Sequence, residues 1–174
     1  PVYLYLPAVT YDGEITFGDH VWQIFGSTDG DATTTFTGTV NVNGKNGNYG
    51  IMSGIRFEGS SGTGLNANCF VLLSGCSFSG WGIAAIAQDG AWVSASDCSF
   101  TNNGTALKFN TSMAYVSNPS YLNNTFTGNG VAVSIDRLPG SEVLNFAGSI
   151  FSENGTDIEN KAGHPVDTAN AVFE

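Results

Sequence analysis

Two sets of side chains in this chain have the types and spacing to do chemistry. Asp12, Glu14, Asp19, Asp29 and Asp31 crowd the start of the sequence, with His20 among them. Grouped carboxylates can hold a hard divalent cation through oxygen, and carboxylates beside an imidazole can divide the work of general acid and general base. If the chain is an enzyme, Asp29, Asp31 and His20 are the expected participants. Asp29 and Asp31 are also the candidate ligands for calcium as a cofactor. The nearest basic side chain in sequence is Lys45, so no cation accompanies these acids, and the reading leans to no catalytic residue at all. The second set is aromatic. Trp22, Trp81 and Trp92 suit stacking on the apolar C–H faces of sugar rings, and Trp81 and Trp92 are the expected carbohydrate-binding pair. Cys69, Cys76 and Cys98 are odd in number, lack a CxxC spacing and have no nearby His. They read as buried thiols rather than a zinc or redox site, with one disulfide left open.

The elements that must position these groups follow from composition. Gly, Asn, Ser and Thr make up 73 of the 174 residues, and good helix formers are scarce. The 41% hydrophobic content, with 12 Phe, is enough to fill a core. The expectation is one all-β domain over 1–174 with many turns. Fifteen acidic residues against five basic ones give a net charge of −10, which excludes nucleic acid as a natural partner. No apolar run approaches the ~20 residues that insert across a bilayer as a helix.

A short phrase recurs along the chain. Arg56-Phe57-Glu58-Gly59 is followed by Ser77-Phe78-Ser79-Gly80-Trp81-Gly82, Ser99-Phe100-Thr101-Asn102-Asn103-Gly104, Thr125-Phe126-Thr127-Gly128-Asn129-Gly130 and Ile150-Phe151-Ser152-Glu153-Asn154-Gly155. Phe36 and Phe17 extend the series upstream, so seven anchors predict about seven coils. Alternation such as Cys76-Ser77-Phe78 marks strands with one buried face. The Gly closing each phrase is expected at positive φ in a tight bend. Stacked coils then place Asn103, Asn129 and Asn154 in an asparagine ladder and Cys76 over Cys98. Trp81 stands at the ladder position of its coil and is expected to project outward; the alternative is that it caps the ladder on Asn103. With Val93 and Ala95 inward, Trp92 is expected on the outer face. A further row, Gln88, Asn110, Asp136 and Lys161, makes Asp136 and Lys161 an expected ion pair.

Over essentially its whole length the sequence resembles the right-handed parallel β-helix proteins of the pectate-lyase-like superfamily. The phrases Leu6-Pro7-Ala8-Val9-Thr10-Tyr11 and Ile24-Phe25-Gly26 are similar to the opening coil of many members, and His164-Pro165-Val166-Asp167-Thr168-Ala169-Asn170 to a closing phrase. The resemblance implies a single-stranded, right-handed parallel β-helix. It does not carry over an activity. The Trp-Ile-Asp-His phrase of the calcium-dependent lyases is absent, and Ser27-Thr28-Asp29-Gly30-Asp31 is similar only to the first polygalacturonase phrase. Gln88-Asp89 resembles one pectin methylesterase phrase without its companions.

The function expected is therefore a non-catalytic, secreted or cell-surface β-helix domain that binds glycans or presents itself to them. Its expected partners are a polysaccharide and neighbouring domains of a longer parent chain, with no nucleic acid and no membrane insertion. The secreted or surface location is inferred from fold class and composition, no signal peptide being visible. The alternative is a polysaccharide-degrading enzyme, pectate-lyase-like or polygalacturonase-like, or a fragment of one.

Overall fold

The computed structural model describes residues 1–45, 47–112 and 120–174. Among them there is no helix, and the strands stack into a parallel β-solenoid of about seven coils with three sides. One side is an eight-stranded sheet running from Thr10–Tyr11 and Thr35–Phe36 through Arg56–Glu58, Ser77–Ser79, Ser99–Thr101, Thr125–Thr127 and Ile150–Ser152 to Val172–Phe173. The second is seven-stranded: Ile15–Phe17, Val40–Val42, Thr63–Ala67, Ile83–Gln88, Thr105–Asn110, Val131–Arg137 and Thr156–Asn160. The third is five-stranded, with Val2–Tyr5, Trp22–Phe25, Tyr49–Ser53, Phe70–Ser74 and Trp92–Ser96. A hairpin, Thr28–Asp29 with Ala32–Thr33, is the antiparallel exception.

Register is set by the repeated phrase. Phe57, Phe78, Phe100, Phe126 and Phe151 pair in succession, with their Ser and Thr neighbours half-exposed. Their rings are buried and nearly parallel, with centroids 4.2 Å apart at Phe57–Phe78 and 4.8 Å at Phe126–Phe151. Such spacing is that of neighbouring strands, so each ring rides on the one below. The stack runs on to Phe36 and Tyr11 at one end and Phe173 at the other. Phe17 is not part of it. It lies in the seven-stranded sheet, 5.4 Å from Trp22, and Tyr11 takes the place expected for it.

The asparagine ladder forms as expected. Asn103 donates from its Nδ2 to Asn129 Oδ1 (3.0 Å), and Asn129 Nδ2 donates to Asn154 Oδ1 (3.0 Å). Each amide also donates to a Phe carbonyl one coil back: Asn103 to Phe78, Asn129 to Phe100 and Asn154 to Phe126. The glycines beside the ladder serve a different purpose from the one expected. Gly82, Gly104, Gly130 and Gly155 do not have positive φ; a Cβ on Gly104 would lie 2.5 Å from the Gly82 carbonyl oxygen, and one on Gly130 2.6 Å from that of Gly104. Coils approach too closely there for any side chain. The left-handed residue comes two positions earlier, at Gly80, Asn102, Gly128 and Glu153.

Candidate functional site

The early carboxylates do not converge. Asp12 accepts from Thr37 Oγ1 (2.6 Å), Glu14 from Asn41 Nδ2 (2.7 Å) and Asp19 from Asn48 Nδ2 (2.7 Å), each bond joining one coil to the next. Asp19 also pairs with Lys45, which holds its carboxyl below the usual range and raises the lysine. Asp29 and Asp31 are exposed on the hairpin, whereas exposed His20 precedes the Trp22–Phe25 strand, its ring 5.6 Å from Trp22. Four strand residues separate the two ends by roughly 10 Å along the sheet, so the structure does not bring His20 beside the Asp pair. Among the described residues no three His, Cys, Asp or Glu side chains gather as a metal site.

Both tryptophans expected on the surface are inside. Trp81 is 4% exposed and realises the capping alternative. Its backbone N–H donates to Asn103 Oδ1 (3.0 Å), and its Nε1–H donates to the Phe57 carbonyl (3.1 Å). The indole thus makes the same one-coil-back bond as each ladder amide. Its ring fills the space over Gly59 and Gly64, where a Cβ would lie 2.4 Å and 3.0 Å from indole carbons. Val93 and Ala95 do point inward, but Trp92 is fully buried too, its ring centroid 5.8 Å from that of Phe109. Neither ring is available to stack on a sugar.

The aromatic surface lies elsewhere, on the outer face of the five-stranded sheet. In Val2-Tyr3-Leu4-Tyr5, Leu4 aligns with buried Ile24 and Met52, which sends both tyrosines outward. Tyr5 is 75% exposed and lies parallel on Phe25, with centroids 5.0 Å apart and 16° between planes. Tyr3, 53% exposed, aligns with Gln23. Two outward columns follow from the pairing: Tyr3, Gln23, Ile51 and Leu72, ending at buried Ser94, and beside it Tyr5, Phe25, Ser53, Ser74 and Ser96. At the corner next to this face a groove of about 650 Å³ is lined by Lys45, Asn48, Tyr49, Asn68, Phe70 and Asp89 among others. A flat face with exposed rings and an amide can stack on an apolar ring face and accept or donate to its hydroxyls. The strict alternation of Val2-Tyr3-Leu4-Tyr5-Leu6 was the sequence signal for it.

Elsewhere the expected Asp136–Lys161 pair is present at 3.3 Å, joined by Lys108 at 3.2 Å. A bulge after Phe109 sets Asn110 opposite Arg137 rather than Asp136. Cys69, Cys76 and Cys98 are buried free thiols. Donating a hydrogen bond to Cys76, together with burial, holds the Cys98 thiol well above its ordinary range.

Comparison with known proteins returns no matching family model, no significantly similar curated protein and no significantly similar solved structure.

Proposed function

We propose that this chain is a non-catalytic β-helix domain of the pectate-lyase-like kind, acting at a cell surface or after secretion, and that it binds glycans on the outer face of its five-stranded sheet. The observation that carries the reading is Tyr5, three-quarters exposed yet held flat against Phe25. A ring fixed by stacking loses little freedom when a ligand covers it, so the cost of binding is low. Each such ring contributes ~1 to 2 kcal/mol through buried apolar area at ~25 cal/mol/Å², which implies weak single-site affinity raised by multivalency. A glycan array, run beside reducing-sugar and unsaturated-product assays, tests this. Binding that Tyr5→Ala removes, without turnover, supports it. Turnover of any polysaccharide would favour the degrading enzyme instead.

A further inference from the structure

We infer that the glycan taken by this face is an uncharged, hydroxyl-rich chain laid along the solenoid axis, an inference that rests on the glycan-binding reading above. The column from Tyr5 to Ser96 crosses five strands, roughly 19 Å at ~4.8 Å per step, its neighbour from Tyr3 to Leu72 crosses four before buried Ser94, and no Asp, Glu, Lys or Arg stands in either. In a chain with 15 acidic and 5 basic residues, that is a neutral strip in an anionic surround. Its borders are acidic: exposed Asp29 and Asp31 follow Phe25 in the hairpin, and exposed Asp97 follows Ser96.

Lys45 lines the corner groove beside the strip, but it and three other basic side chains already have carboxylate partners. Lys45 is paired with Asp19, Arg56 with Glu58, and Lys108 and Lys161 with Asp136. Arg137, which has no carboxylate partner among the described residues, sits on the seven-stranded sheet. A uronate or sulfated chain would lose hydration without gaining a cation, in the field of a −10 protein. A neutral pyranose loses nothing of the kind. Its C–H groups pack on the exposed ring of Tyr5 and the outer edge of Phe25, and its hydroxyls meet the Gln23 amide and the Ser53 and Ser74 hydroxyls, all uncharged groups that both donate and accept. Strand stacking sets these groups in line along the axis, which is the direction the bound chain follows.

The test is calorimetric titration of the whole chain with soluble neutral polysaccharides (hydroxyethylcellulose, galactomannan, xyloglucan) and with polygalacturonate, at low and high ionic strength. The expected result is binding of at least one neutral polymer that salt leaves unchanged, about tenfold weaker in Tyr5→Ala, equivalent to ~1.4 kcal/mol, and kept in Tyr5→Trp. Circular dichroism identical to that of the parent shows that both variants fold. Binding of polygalacturonate in preference to the neutral polymers would overturn the uncharged class while leaving the glycan reading intact. Failure of every polymer would remove both. Neutral binding that Tyr5→Ala does not weaken would overturn the placement on this face.

Discussion

At the scale of single residues, the two kinds of aromatic side chain in this protein should respond oppositely to truncation. Trp81→Ala removes a buried ring from the space over Gly59 and Gly64 and takes the indole hydrogen bond from the Phe57 carbonyl. Urea denaturation should show a loss of about 3 to 5 kcal/mol. Tyr5→Ala, at an exposed position, should cost less than about 1 kcal/mol by the same measurement. Thiol accessibility offers a second check: Cys76 and Cys98 are 2% exposed, so a thiol reagent should leave both unmodified in the native protein and react fully in urea. The sequence made the wrong tryptophan reading natural. A period-2 pattern says which way a Cα–Cβ bond points, and for Val93 and Ala95 it was right, but it does not say what packs around a ring, and Trp92 lies against Phe109. Short alternating strands are more legible, and Val2-Tyr3-Leu4-Tyr5 carried the outward tyrosines openly.

At the scale of elements, the two corners that flank the eight-stranded sheet share one design. On the ladder side a left-handed residue (Gly80, Asn102, Gly128, Glu153) precedes an inward one (Trp81, Asn103, Asn129, Asn154). On the other side Gly54, Gly75, Asp97, Asn123 and Gly148 are left-handed and precede Ile55, Cys76, Cys98, Asn124 and Ser149. There Asn124 donates to the Ala95 carbonyl (2.9 Å) and Ser149 to that of Tyr121 (2.6 Å), a second polar column in the Cys76–Cys98 row. The sequence hid this column because its members change type from coil to coil, whereas the Asn ladder repeats one residue. Glu153 is the least suited of the left-handed residues, at φ 55° without a short polar side chain to satisfy. Glu153→Gly should therefore raise the melting temperature, by about 1 kcal/mol of stability at most. Asn129→Ala should do the reverse, costing about 3 kcal/mol, because the buried Asn103 N–H loses its partner, the Phe100 carbonyl loses one bond and the ladder is cut at its centre. Calorimetry distinguishes the two directions.

Across the whole molecule, the coil count and the Phe stack were readable from the repeat, since a fixed period forces equivalent residues into register. The bulge after Phe109 was not, because one extra residue in a strand leaves no mark in composition. Beside it Asp136 pairs with Lys108 as well as Lys161. Partial burial works against ionisation of Asp136, but the two ammonium groups outweigh it and hold the carboxyl below its ordinary value. A lowered folded pKa stabilises above the unfolded value, about 3.9, and that contribution fades as pH falls through the folded one. Asp136→Asn should lower the melting temperature at neutral pH, with the difference from the parent vanishing in strong acid. Amide exchange should be slowest in the central coils, where Phe78 and Phe100 are enclosed on both sides, and fastest in the terminal ones, where Phe173 is 48% exposed.

The asparagine ladder also has a polarity. Every Oδ1 in it faces the coil before: that of Asn103 takes the Trp81 N–H, that of Asn129 takes Asn103, and that of Asn154 takes Asn129. The amide dipoles are therefore aligned head to tail, and aligned hydrogen bonds strengthen one another by about 10 to 30% per bond. At the far end Asn154 Nδ2 donates to the Asp157 carboxylate (3.0 Å), so the row of donors terminates on a negative charge. A row of this kind is nucleated at the tryptophan and anchored at the aspartate, and any coil added between them would have to bring its own asparagine, facing the same way, to keep the current of dipoles unbroken.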